Sequence, residues 1–355
     1  MPVGVVRRSN KHMMMKSAWR DEKGIILIWF YLLIVVLLIT GGSLYGLSFQ
    51  ESRLISVDQA RDKAFYLAEA GLDRKLQELR SGDQNSIVST SLGDGSYSVT
   101  YDAQTKQIRA TGTVNGIPRT LIAMAVKLPP PGVQGAISSV GNAAFSSITI
   151  DGRDHDSTGT LISGQPGTYG VSSGGTINPN RGTLIGGNGF EPSNPSNPAA
   201  IQQNVANVPT TPEAVLGLQP GSLDQYKTSN PPAITPDNPL NGILYVTANN
   251  LNNPNFGTQD NPSRGILIVH NADGDARIKN AEGHFKGIII ADDIVHIQSD
   301  VIVTGALVLQ KASGTTVGYE NTQVKYSSEV LSNLPTSTYS IVAWEDTQNT
   351  PYIYS

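Results

Sequence analysis

The sequence predicts two structural classes joined in one chain. The first is an α+β part built on one long helix and a small antiparallel sheet; the second is mainly β and reads as a parallel β-solenoid. Three observations predict this. An uncharged run from Gly24 to Phe49 passes, without a proline, into an amphipathic stretch that ends at Arg80. After Ser81-Gly82-Asp83 the apolar period changes from that of a helix to that of a strand. Beyond Gly132, short apolar strands follow glycines: Gly242 before ILYV, Gly265 before ILIV, Gly287 before III and Gly305 before ALVL, at separations of 23, 22 and 18 residues. A coil of about 20 residues with two or three short strands is the unit that a parallel solenoid stacks.

The helix comes first. Its uncharged run reads GIILIWFYLLIVVLLITGGSLYGLSF, and about 20 apolar residues cross a bilayer, so a transmembrane span is expected over 25–47 within a helix over 25–80. Arg7, Arg8, Lys11, Lys16, Arg20 and Lys23 precede it, against Asp21 and Glu22. Short basic flanks stay on the cytoplasmic side. Residues 1–24 therefore read as a cytoplasmic basic leader, and the C-terminal region as extracytoplasmic. No small-x-small cleavage motif follows a short apolar core, which disfavours a cleaved secretory signal. Between Gln50 and Arg80, Val57, Ala60, Ala64, Leu67, Ala68, Gly71, Leu72, Leu76 and Leu79 recur at spacings of three and four. The small ones, Ala60, Ala64, Ala68 and Gly71, would permit close packing against other helices; covering the chain's own sheet is the alternative.

At this point the sequence resembles a known family. Lys23-Gly24 before the apolar run resembles a type IV prepilin leader ending in glycine. Ala64-Phe65-Tyr66-Leu67-Ala68-Glu69-Ala70-Gly71-Leu72 resembles the AFYLAEAG stretch of the PilX-type pilus assembly proteins, a minor pilin group, and the match covers residues 20–80. Ile341-Val342-Ala343-Trp344-Glu345 resembles the VSW.E ending of that group. The resemblance implies a pilin-like N-terminal part, cleavage after Gly24 by a prepilin peptidase, methylation of Ile25, and other pilin-like subunits as partners through the helix. It also implies a role in starting or modifying a type IV pilus-like filament, or a related secretion filament. Two positions depart from the pattern: Ile25 stands where phenylalanine is usual, and Trp29 where major pilins carry a glutamate. A low-copy subunit near the filament tip fits those departures better than a bulk subunit. The alternative is a membrane-anchored surface solenoid, an adhesin or envelope protein unrelated to pili.

The next region, 81–128, is expected to be the small sheet. Tyr97, Val99 and Tyr101 alternate with Ser96, Ser98 and Thr100, Lys106 to Val114 reads as a second strand, and Asn115-Gly116 is a strong hairpin signal before the strand Pro118 to Lys127. A further strand is possible near Ile87 to Leu92. Pro129-Pro130-Pro131-Gly132 is a stiff linker. The head is then 133–355, with a Pro/Asn-rich excursion over 191–241 and a closing segment, 326–355, holding a short helix and a strand.

Composition limits the chemistry. Charged residues are 15% of the 355, the net charge is −4, and there is no cysteine. No basic field is available for nucleic acid, and thiolate chemistry and disulfides are excluded. Fragments of the head resemble polygalacturonases: Asn271-Ala272-Asp273-Gly274, Arg277-Ile278-Lys279, Gly283-His284 and Asp292-Asp293. Their order differs, because Arg-Ile-Lys precedes the histidine and the aspartate pair here instead of coming last. A glycan-degrading enzyme is therefore the weaker reading; no catalytic residue is assigned, and surface or glycan ligands are expected to be bound, not cleaved. Asp151, Asp154 and Asp156 around Gly152 are weak calcium candidates, with a polar turn as the alternative. The histidines at 12, 155, 270, 284 and 296 show no zinc spacing, and no other cofactor is expected.

Overall fold

The computed structural model describes residues 22–180, 182–297, 300–311, 315–318 and 321–347; the leader over 1–21 lies outside them. One unbroken helix, Glu22–Arg80, opens the structure. Its 59 residues make a rod of about 88 Å. The helix stops where Gly82 takes a φ of +91° and the Asp83 amide donates to the Glu78 carbonyl at 2.8 Å.

The second half of the rod lies on a five-stranded antiparallel sheet. Four strands follow one another in sequence: Ile87–Leu92, Gly95–Asp102, Gln107–Val114 and Ile117–Lys127. Asn115 and Gly116 both have positive φ, 51° and 76°, as the tight hairpin between the last two requires. The fifth strand corrects the expected boundaries. Tyr339–Asp346 pairs antiparallel with Ile117–Lys127 and not with the head, so the chain returns to the stem after the head is complete. Arg119 Nε donates to both Asp346 carboxylate oxygens, at 3.1 and 3.0 Å, its Nη2 donates to Asp346 Oδ2, and the Arg80 guanidinium reaches the Tyr339 carbonyl at 3.3 Å. The head, over 128–338, is therefore an insertion between neighbouring strands of the stem sheet.

The small residues of the helix also turn out differently from the expectation that they meet other helices. Ala60, Ala64, Ala68 and Gly71 face the chain's own sheet, and the three alanines are buried there. A side chain on Gly71 would meet Tyr97 Cδ2 at 2.8 Å, and one on Gly112 would meet the Ala64 carbonyl and, at 2.7 Å, the Ala68 amide. Helix and sheet approach so closely that only small residues fit on either side.

In the head most pairing is parallel. Asn241–Val246, Ser263–Val269, His284–Ala291 and Ile302–Leu309 stack in register, so that Gly242, Gly265, Gly287 and Gly305 form one column. Beside it run like-on-like columns such as Ile243, Ile266, Ile288 and Ala306. A second parallel sheet joins Asn250–Asn252, Arg277–Ala281 and Asp293–Ile297, and a third joins Thr315–Val317, Ala143–Phe145 and Ile177–Pro179. The large sheet forks at Ile302–Leu309. The first half of that strand pairs with Thr322–Tyr326, which leads to Ile148–Asp151 and Leu184–Gly187; its second half pairs with Gly135–Ser139, which leads to Tyr169–Ser173. The beginning of the head thus stacks on its end. Among the described residues no sheet closes on itself.

The core runs through the stack, with Phe145, Phe256 and Phe285 buried and the last two meeting edge to face at 5.2 Å between centroids. The segment 191–241 has little strand, as expected, but it is not detached. Its short helix, Pro212–Leu216, is capped by Thr211, and Val215, Leu216, Leu223 and Ile234 are buried in the same core.

Candidate functional site

The largest unsatisfied surface is the first half of the rod. Between Ile26 and Ser56 every residue except Ile34 is exposed, and the apolar side chains there include Leu27, Trp29, Phe30, Leu38 and Leu54. The helix is long and apolar enough to cross a membrane, with none of its apolar window covered by the rest of the chain. So much exposed apolar surface marks a membrane or protein contact in a soluble setting. Trp29 is two-thirds exposed and carries no charge at the position singled out in the sequence. Gly24 and Ile25 lie in the first turns of the helix. The second half of the rod contains a buried cation: Lys75 is fully covered and donates to Glu78 Oε2 at 3.2 Å, to the Asp83 carbonyl at 3.0 Å and to the Asn85 carbonyl. It ties the turn after the helix to the helix itself.

The three aspartates considered for calcium use their oxygens on protein donors. Asp151 accepts from the Arg153 amide at 3.0 Å and from its guanidinium at 2.8 Å, and this contact, first among its causes, raises the Arg153 pKa above its ordinary value. Asp154 accepts from the Ser328 amide and hydroxyl at 2.8 and 2.5 Å. Asp156 accepts from the Thr158 hydroxyl and amide and from the Thr160 amide, which together hold its pKa below the usual carboxylate value. His155 Nδ1 lies 3.0 Å from the Tyr326 carbonyl. This arrangement pins the 152–162 loop to Tyr326–Ser328. Among the described residues no group of three or more His, Asp or Glu side chains is placed to hold a metal ion.

The polygalacturonase-like fragments are separated in role. Asp292 is buried; it accepts from His270 Nδ1 at 2.6 Å and from the Asn271 and Ala276 amides at 3.2 and 3.1 Å. It therefore clamps the turn 271–276, and Asp273 is exposed on that turn. Asp293 starts the next strand and faces Lys311 at 3.4 Å and Arg277 at 3.5 Å.

Sequence reading missed a row of cations. Arg264, Lys286, Thr304 and Lys325 occupy one rung column, each in register with the next. The available signal was a cation directly before the column glycine in two strands, Arg264-Gly265 and Lys286-Gly287.

No protein-family model matches the chain, and no curated protein matches it. Among solved structures, the competence-associated pilin ComZ from Thermus thermophilus aligns over 81% of this chain and 97% of that chain, at 12% identity and a TM-score of 0.19. A superposition at that score carries no argument about fold or function.

Proposed function

We propose that this chain is a low-copy, structural subunit of a type IV pilus-like filament, positioned at or near the tip, with a parallel β-solenoid head that binds and does not cleave its ligand. One observation carries the reading: a single rod whose second half is sealed on its own sheet while its first half is bare and apolar over about 30 residues. Such a helix suits a subunit that rests in the membrane and then packs its bare half among other subunits' helices, since apolar surface needs cover in either place. The leader-like Lys23-Gly24, with cleavage giving Ile25 as the new terminus, belongs to the same reading, as do prepilin peptidase and neighbouring pilin-like subunits as partners.

Two further features favour the tip. Residues 128–338 form an inserted body held at both ends by adjacent stem strands, a bulk that a subunit enclosed on all sides would have to accommodate. Trp29 offers no carboxylate for a neighbour's terminal amine, and an unpaired ion in an apolar core is costly. A tag placed after Ser355 and gold-labelled on sheared filaments tests the assignment. Label at fibre ends supports it; label along the whole shaft, or none on filaments, overturns it. N-terminal sequencing of the mature chain separates prepilin handling, which begins it at Ile25, from a simple membrane anchor.

A further inference from the structure

In the rung column of Arg264, Lys286, Thr304 and Lys325 the side chains point away from the core, because Phe285, Val303 and Val324 on the alternate positions face it; Arg264 is exposed, Lys286 and Lys325 are half-buried, and Thr304 between the lysines is buried. Neighbouring strands lie about 4.8 Å apart, so the cations are spread over about 14 Å along the stack. Arg264 and Lys286 have no ion-pair or hydrogen-bond partner for their side chains among the described residues, and Lys325 makes one long contact, 3.4 Å to the Gly159 carbonyl. Three cations thus lie in one row of a chain of net charge −4, with Glu329 the carboxylate that lines the same groove as Arg264 and Lys286.

The row also has depth. Lys286 and Lys325 line a pocket of about 70 Å³ together with His284, Thr158 and Thr304. That volume holds one oxyanion group in place of a few waters. Burial first, and then the nearby charges of Lys286 and Lys325, lower the His284 pKa below its ordinary value. The pocket shares Thr158 and Lys286 with a groove of about 380 Å³, floored by Arg264 and walled by Glu329 and Asn333. Glu329 is held in that wall, where its carboxylate accepts from the Ser157 amide at 2.9 Å.

We propose that this face binds an acidic glycan, with one uronate carboxylate seated between His284, Lys286 and Lys325 and the sugar chain running along the groove over Arg264. This deepens the ligand-binding role given to the head and rests on that reading. Charge-assisted hydrogen bonds from two lysines fix the carboxylate. The Thr158 hydroxyl and the Glu329 carboxylate, which line the groove, are suited to accept from sugar hydroxyls. The surface is unsuited to single-stranded nucleic acid, because binding there depends on aromatic stacking platforms and, among the described residues, the one Phe, Tyr or Trp lining pocket or groove, Phe285, is fully buried.

The test uses the full chain in detergent, so it does not depend on filament assembly and can fail while the tip assignment stands, or hold while that assignment falls. Oligogalacturonate is titrated alongside a neutral glucan of equal length, free sulfate and mixed-sequence single-stranded DNA. The acidic oligomer is expected to bind, and the neutral one not. Lys286→Gln and Lys325→Gln should each weaken binding about tenfold, the loss of one charge-assisted bond, and Lys286→Arg should retain it. Unfolding midpoints equal to the parent's show that the variants fold. Equal binding of the neutral glucan, binding of sulfate without the oligomer, tighter binding of DNA, or undiminished binding by the Lys286→Gln/Lys325→Gln double variant each overturns the proposal.

Discussion

Stem and head are both sheets against an apolar core, but they set their register by different means. In the stem the first four strands are neighbours in sequence as well as in space, and turns such as Asn115-Gly116 decide which residues face each other. In the central stack of the head, from Asn241–Val246 to Ile302–Leu309, each rung joins residues about 20 positions apart, with no tight turn to set it. Register there comes from like stacking on like: a glycine column, isoleucine columns beside it, and a cation before two of the glycines. The two parts also use glycine for different purposes. Gly112 is needed because a helix lies against it; Gly265 is needed because its own backbone, at a φ of +110°, leaves the ordinary region and brings it against the Gly242 carbonyl. Local geometry governs one part and the repetition of like residues from strand to strand governs the other.

The strongest way to break this contrast is to put a methyl group on each glycine. Gly265→Ala is expected to destabilise the head by about 3 kcal/mol, from the backbone strain and the overlap together. Gly112→Ala should destabilise the stem by about 2 kcal/mol, since Ala64, Leu67 and Ala68 must move away from it. Hydrogen exchange read by mass spectrometry should show loss of protection over 241–309 for the first and over 57–127 for the second. Equal loosening of both regions by either variant would mean that they are one cooperative unit.

A buried ion in each part sharpens the comparison at a smaller scale. Lys75→Met removes the donor that the Asp83 and Asn85 carbonyls share, and should cost the stem about 2 kcal/mol. Asp292→Asn keeps the shape but gives up the charge that His270 and two amides address, and should cost the head about 1–2 kcal/mol. Thermal unfolding in detergent reads both; an unchanged midpoint in either variant would show that its buried ion does not hold that turn.

The same contrast explains what the sequence made legible. The helix to Arg80, the Asn115-Gly116 hairpin and the column of Gly242, Gly265, Gly287 and Gly305 are all patterns written within a short span or repeated at near-constant spacing. The return of Tyr339–Asp346 to the stem is neither. Its alternation of Tyr339, Ile341 and Ala343 suits any half-buried edge, and nothing local says which sheet it joins. The fork at Ile302–Leu309 was hidden for a related reason, since its two partners, Gly135–Ser139 and Thr322–Tyr326, come from opposite ends of the head. The direction of Ala60, Ala64 and Ala68 was ambiguous because small residues serve equally well against a helix or a sheet; Gly112 on the opposing strand decided it. The cation row was missed because Lys325 precedes Tyr326 and not a glycine, so only the register brings it into line with Arg264 and Lys286.

The smallest expected effect links the head's stability to its pocket. His284 is charged less readily in the fold than its usual value of 6.5, because of burial first and then Lys286 on its own strand and Lys325 on a nearby one; the remaining polar groups of the pocket, Thr158, Gln259 and Thr304, are uncharged. The unfolded chain therefore takes up the proton more easily, so the stability owed to this ring is full above pH 6.5 and declines as pH falls below it. His284→Gln should flatten the part of that decline owed to this ring. Denaturant midpoints compared at about pH 7.5 and about pH 5.5 should differ less in the variant than in the parent. A carboxylate seated in the pocket reverses the sign, because it favours the imidazolium: oligogalacturonate should restore more stability at the lower pH than at the higher one. An identical pH response in parent and variant would remove His284 from the pocket's electrostatics, and an oligomer effect independent of pH would move the carboxylate away from its ring.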